Sequence, residues 1–178
     1  MEKSRHWLTA SAALLLLPMT PAVAQQIIDA TVPLKILEVA KEFGPASLDI
    51  DGEGDPLIQA KVQDGFNYLV MFYGCKGGED CDDIQFGACF NDFEASLQDI
   101  NDWNAGRKTP RAYLDANGAA CMDMWANIDF GVTRENLQDW FNWWTRVGET
   151  FIEYLADGDE PATTPSGLVE KPTRRESI

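Results

Sequence analysis

Hydrophobic and polar positions along this chain follow two periods, one helical and one of two residues. Over 31–43, Ile36, Val39, Ala40 and Phe43 recur at helical spacing. Thr31 is the expected cap, Pro33 suits the first turn, and Gly44-Pro45 is the stop. Alternation then predicts a short strand at Ser47–Ile50, a turn over Asp51-Gly52-Glu53-Gly54-Asp55-Pro56, and a strand carrying Ile58, Ala60 and Val62. Asp64-Gly65 is a two-residue hairpin signal. It leads into a strand over Phe66–Tyr73, apolar on both faces, and then a fourth over Asp83–Phe90. Helical spacing returns at about 92–104, with Asn91 or Asp92 as cap and Phe93, Leu97, Ile100 and Trp103 as the stripe. Thr109–Asp115 and Gly118–Ile128 read as a second hairpin around Ala116-Asn117. The longest helix, 134–156, starts from Thr133 and carries Leu137, Trp140, Phe141, Trp144, Val147, Phe151 and Leu155 on one side.

The order α-β-β-β-β-α-β-β-α predicts an α+β fold: one antiparallel sheet of about six strands, with three helices most simply on one face. The opposite face is not cleanly polar, because Leu69, Met71, Tyr73 and Trp125 share it with cysteines. A half-apolar sheet face needs a cover, and a second subunit, a client peptide or a helix would each supply one.

The two ends of the chain read differently. Lys3, Arg5 and His6, then an apolar run from Trp7 to Leu17, then Ala22-Val23-Ala24, follow the pattern of a cleavable signal peptide over 1–24, cut after Ala24. That address places the protein in the periplasm or outside the cell, without stable membrane insertion after cleavage. Residues 25–157 form the folded domain, and 158–178, with Pro161, Pro165 and Pro172 among charges, read as a disordered tail. In an exporting pathway an even number of cysteines favours disulfides. Cys75 and Cys81 flank a turn-like stretch, Lys76-Gly77-Gly78-Glu79-Asp80. Alternation puts Cys89 and Cys121 on the outward side of two strands, where antiparallel neighbours can be joined. The preferred pairs are therefore Cys75–Cys81 and Cys89–Cys121.

Charge narrows the function. The chain of 178 residues has 29 acids against 14 bases, a net charge of −15. Cleavage would leave 28 acids and 12 bases, a net charge of −16, by removing Glu2, Lys3 and Arg5. Such a surface repels nucleic acid and anionic lipid. The single histidine, His6, lies in the predicted signal, so the mature chain has no Ser-His-Asp triad, Cys-His pair or histidine metal site. Acids are so abundant that no catalytic carboxylate pair stands out. The chain reads as non-enzymatic and calls for no cofactor.

Four features are weighed as sites. Asp49, Asp51, Glu53 and Asp55 alternate like the start of a calcium loop, with Gly54 at the sixth position, but the twelfth is Ala60 rather than a bidentate Glu. A solvated turn is the simpler reading, with calcium or small-ligand binding as the alternative function. Glu79, Asp80, Asp82 and Asp83 around Cys81 read as a solvated loop, with a basic-peptide patch as the functional alternative. Trp103-Asn104 with Arg107 and Arg111 read as helix packing, Asn104 and Arg107 capping the helix C-terminus, with an acidic-ligand site as the alternative. Of Trp140, Trp143 and Trp144, Trp143 is assigned to an interface.

Several landmarks together resemble the YbjN family, which is labelled as bacterial sensory transduction regulators. They are Phe72-Tyr73-Gly74-Cys75, then Trp103-Asn104 with Arg107, then Arg111-Ala112-Tyr113-Leu114-Asp115, and Gly131-Val132-Thr133-Arg134-Glu135-Asn136-Leu137 before the tryptophan-rich helix. The resemblance runs from about Ile27 to Leu155. It implies a fold similar to that of type III secretion chaperones, often dimeric, in which the strand before the middle helix lies beside the last strand. This chain has four strands before the middle helix, where the chaperones usually have three. The family offers no catalytic residues to carry over. The expected role is binding of a protein or peptide client, a homodimer partner, or both, through Leu69, Met71, Tyr73, Trp125 and Trp143, with a link to regulation or stress response.

Overall fold

The computed structural model describes residues 26–108 and 110–157. The signal peptide expected over 1–24 and the disordered tail expected over 158–178 lie outside the described residues. In chain order the elements are β1 (Ile27–Ile28), α1 (Pro33–Ala40), β2 (Ala46–Ile50), β3 (Pro56–Lys61), β4 (Asn67–Tyr73) and β5 (Asp83–Phe90). They continue with α2 (Leu97–Gly106), β6 (Arg111–Leu114), β7 (Ala120–Asn127), β8 (Val132–Thr133) and α3 (Arg134–Ala156).

The large sheet has six strands in the order β2-β3-β4-β5-β7-β6, all antiparallel neighbours. The strand before the middle helix does lie beside the longer strand of the second hairpin, with Phe86 opposite Met124 and Cys89 opposite Cys121. Even-numbered positions of β3, β4, β5 and β7 are buried against the helices: Ile58, Val70, Phe72, Ile84, Phe86, Met122 and Met124. Above them α3 contributes Leu137, Phe141, Trp144 and Phe151. The Phe86 ring meets Phe141 edge-on at 4.8 Å between centroids, and Phe90 meets Phe151 at 5.5 Å. Gly148 lets α3 come this close, since a Cβ there would stand 2.1 Å from Phe66 Cζ. All three helices therefore cover one face, as the element order predicts.

Several boundaries differ from the sequence reading. Thr31 does not cap α1: its hydroxyl bonds Asp29, and the N-cap is Val32, without a side-chain bond. The middle helix starts later than 92, from Ser96 rather than Asn91 or Asp92. There the Asp99 N–H donates to Ser96 Oγ at 3.2 Å and the Ser96 N–H donates to Asp99 Oδ2 at 2.7 Å. This reciprocal pair satisfies two donors that a helix start leaves free. Leu97 consequently faces solvent instead of joining the stripe. Thr133 caps α3 as expected, accepting from the Asn136 N–H. The strands β1 and β8 form a two-stranded clasp, Ile27 opposite Thr133 and Ile28 opposite Val132, which ties the segment before α1 to the start of α3.

Candidate functional site: the uncovered sheet face

Odd-numbered positions of the large sheet face away from the helices, and no described element covers them. Register alone sets the rows on this face. One row runs Ser47, Gln59, Leu69, Gly87, Asp123, Arg111; the next runs Asp49, Leu57, Met71, Gln85, Trp125. Leu69 is 38% exposed and Trp125 53%, large values for apolar side chains in strands next to or at the middle of a sheet. Tyr73 stacks on Trp125 with centroids 4.7 Å apart and planes 28° apart.

Gly87 explains how Met71 lies. With no Cβ at residue 87, Met71 Cε folds over the strand; a Cβ there would be only 2.9 Å away. Beside it runs an open groove of about 530 Å³ whose walls include Gln59, Leu69, Met71, Cys89 and Tyr113. The Cys89–Cys121 disulfide, one of the two pairs expected, joins β5 to β7 at the groove's edge. The other, Cys75–Cys81, closes the loop after β4.

The polar groups of the face close on one another. Tyr73 Oη donates to Gln85 Oε1 at 3.0 Å, and Gln85 Nε2 donates to Asp123 Oδ2 at 3.2 Å. Arg111 grips the same carboxylate from the neighbouring strand, with Nε donating to Oδ1 at 3.1 Å and a terminal nitrogen to Oδ2. Asp123 is buried, so this bidentate pair is what lets a charge sit within the face. The pairing also raises the Arg111 pKa, through the hydrogen bond first and the carboxylate charge second. The Tyr73 hydroxyl is pushed up by burial first, and then by the charges of Asp51, Asp123 and Glu53. The register, with Leu57 opposite Met71, sets the acidic 51–55 turn beside the Tyr73 end of the face.

Of the five predicted contact residues, the structure brings together Leu69, Met71, Tyr73 and Trp125. Trp143 is not with them: it is exposed on α3, in the helical layer on the other side of the sheet. The four calcium candidates do not converge. Asp51 Oδ1 accepts the N–H groups of Glu53, Gly54 and Asp55, and Asp49 binds the Ile50 N–H and Gln59. Among the described residues no group of three or more acids, histidines or cysteines is placed to hold a metal ion. At the acidic-ligand alternative, Arg107 stacks over the Trp103 ring at 3.5 Å and Arg111 is engaged by Asp123.

Asn104 does not cap its helix either. Its side-chain amide bonds both backbone groups of Ala112, accepting from the N–H at 2.9 Å and donating to the C=O at 2.9 Å. It stands where a seventh strand would pair, so the β6 edge is closed.

A match to the family model described as "Putative bacterial sensory transduction regulator" spans residues 35–157. The chain belongs to the YbjN family. No curated protein and no solved structure gave a significant match. The YbjN description supports a regulatory or adaptor-like role. Family landmarks fall on structural duties: Trp103 in the core, Asn104 on the β6 edge, Arg111 on Asp123. The sequence by itself does not mark Gln85, Gly87, Asp123 and Tyr113 as site residues. The signal that finds them is the alternation that places Trp125 and the cysteines outward.

Proposed function

We propose that this YbjN domain is a non-enzymatic adaptor whose uncovered sheet face binds an extended, basic segment of a protein partner, on the outer side of the cytoplasmic membrane. The observation that carries the reading is the composition of that face: exposed Leu69 and Trp125 beside Met71, over polar groups already bonded to each other. A partner can bury these apolar side chains without leaving the Asp123 charge unpaired. The acidic 51–55 turn and the net charge of −15 favour a basic partner and speed its approach.

A displayed library of random peptides selected on the purified protein tests this. Recovered sequences should place Lys or Arg beside apolar residues, and Trp125→Ala should weaken them roughly tenfold or more, as truncating an aromatic anchor does. Peptides that bind Trp125→Ala and Met71→Asp as well as the parent would refute the reading. The signal reading has its own test, mass spectrometry of the N-terminus of protein recovered from cells. A chain beginning at Gln25 supports export, and one beginning at Met1 or Glu2 refutes it.

A further inference from the structure

The two edges of the large sheet are treated differently. Asn104 closes β6, but no described strand pairs with the outer side of β2, where Leu48 is 39% and Ile50 66% exposed. The ladder to β3 uses the odd residues of this strand: the Lys61 N–H donates to Pro45 O and the Asp51 N–H to Asp55 O, each at 2.9 Å. Alternation then turns the backbone groups of Ala46, Leu48 and Ile50 outward. An open apolar edge of this kind is a template for another strand.

We propose that β2 pairs antiparallel with β2 of a second copy, about a twofold axis at Leu48. The charge pattern selects this occupant and this register. Acids lie at one end of the strand, in Asp49, Asp51 and Glu53, while the other end is flanked by Lys41 in sequence and Lys61 in register, the neighbouring Glu42 being taken up by Arg134. Neither lysine makes an ion pair among the described residues. With Leu48 opposite Leu48, Ser47 faces Asp49 of the second copy. Asp51 of the second copy falls in the row of Pro45 and Lys61. Each acidic end thus meets a basic end, twice by symmetry. Moving the axis to residue 49 would set Asp49 against Asp49, which like charge opposes. The local bond from the Ile50 N–H to Asp49 Oδ1 is exchanged for one to Ala46 of the second copy. The product is a twelve-stranded sheet with all helices on one side and both uncovered faces on the other. The pairing does not depend on what those faces bind.

Sedimentation equilibrium of the purified protein over a dilution series tests it. The parent should shift from monomer to dimer. Leu48→Pro removes an outward N–H that β3 does not use, so it should stay folded by circular dichroism and lose at least about tenfold in dimer affinity. Ser47→Lys should tighten the dimer and Ser47→Asp weaken it, each by about threefold or more, since every change acts twice. A parent that stays monomeric at every concentration overturns the proposal. So does a Leu48→Pro protein that dimerises normally, or Ser47 variants that do not separate in those directions. Met71→Asp should leave this dimer intact while abolishing peptide capture; loss of the dimer in that variant would place self-association on the uncovered face instead.

Discussion

Asn104→Ala is the sharpest probe of how this sheet ends. The substitution removes two hydrogen bonds of 2.9 Å, one to the Ala112 N–H and one to its C=O. Both Ala112 groups sit at a sheet edge that water can reach once the amide is gone. The loss is then the net value of each bond, about 0.5–1.5 kcal/mol, or about 2 kcal/mol for the two. Alanine recovers roughly 0.5 kcal/mol through its higher helix propensity in α2. The expected destabilisation is about 1.5 kcal/mol, a fall in Tm of about 4–8 °C for a domain of this size. Urea unfolding followed by tryptophan fluorescence measures the first number, and Trp103, buried one residue away, makes the signal local as well as global. Hydrogen exchange at the Ala112 amide isolates the mechanism, because no other described acceptor holds that proton. Its exchange should speed by about tenfold, more than its β6 neighbours. Asn104→Asp keeps an acceptor for the Ala112 N–H but turns a carboxylate toward the C=O, so it should protect that amide while still losing stability. Unchanged exchange at Ala112 in Asn104→Ala, with stability within 0.5 kcal/mol of the parent as is usual for an ordinary surface position, would refute the edge-closing role.

Paired alanine replacement of Cys89 and Cys121, separated by 32 residues, should cost about 3.7 kcal/mol by loop-closure entropy, whereas Cys75 and Cys81, separated by 6, should cost about 2.2 kcal/mol. Urea midpoints under non-reducing conditions check the ranking, and an equal or reversed cost sinks it. Asp51 is held below its ordinary 3.8 by the Asp55 and Glu53 N–H groups, and Asp115 by that of Ala119. A lowered pKa means stability that is complete above that ordinary value and is lost as pH falls through the lower, folded one. Thermal unfolding against pH should therefore show Asp51→Asn and Asp115→Asn shrinking the loss below about pH 4, with parallel curves as the contrary result.

Much of the architecture is legible because period carries it. The alternation Ile84, Phe86, Ala88, Phe90 fixes one face of β5, so Cys89 and its partner Cys121 must take the other, and the crosslink follows from register. The stripe from Leu137 to Leu155 fixes α3 in the same way. Local competition hides the rest. Phe93 fits a helical stripe, yet the Ser96–Asp99 capping box outbids it and delays α2, leaving Phe93 in a turn on Phe90. Two-residue strands such as β1 and β8 are too short to show any period. Asn104 reaching Ala112, eight residues on, follows no repeat, because the α2–β6 turn decides it. At the site, alternation yields Leu69, Met71 and Trp125, but not the Tyr73–Gln85–Asp123–Arg111 chain, whose links cross four strands. Trp143 stands at the flank of the α3 stripe, and a flank position in one helix does not say which layer of the fold a partner would meet.

That chain of polar groups has a consequence for recognition. A buried carboxylate facing a partner is ordinarily a cost, since covering it strips water and offers nothing in return. Here Asp123 receives two bonds from Arg111 and one from Gln85, and Gln85 is in turn engaged by Tyr73. In the proposed complex the face would meet its partner with its strongest acceptor already satisfied, presenting aromatic and aliphatic surface over a disulfide-joined pair of strands. In that complex the crosslink between the strands would lower the ordering cost of association, while the acidic turn at the Tyr73 end would act mainly on approach and orientation. The two contributions separate in experiment. Raising ionic strength should slow association with a basic peptide and leave its dissociation rate nearly unchanged, whereas Arg111→Met, which leaves Asp123 without its cation, should act on dissociation instead.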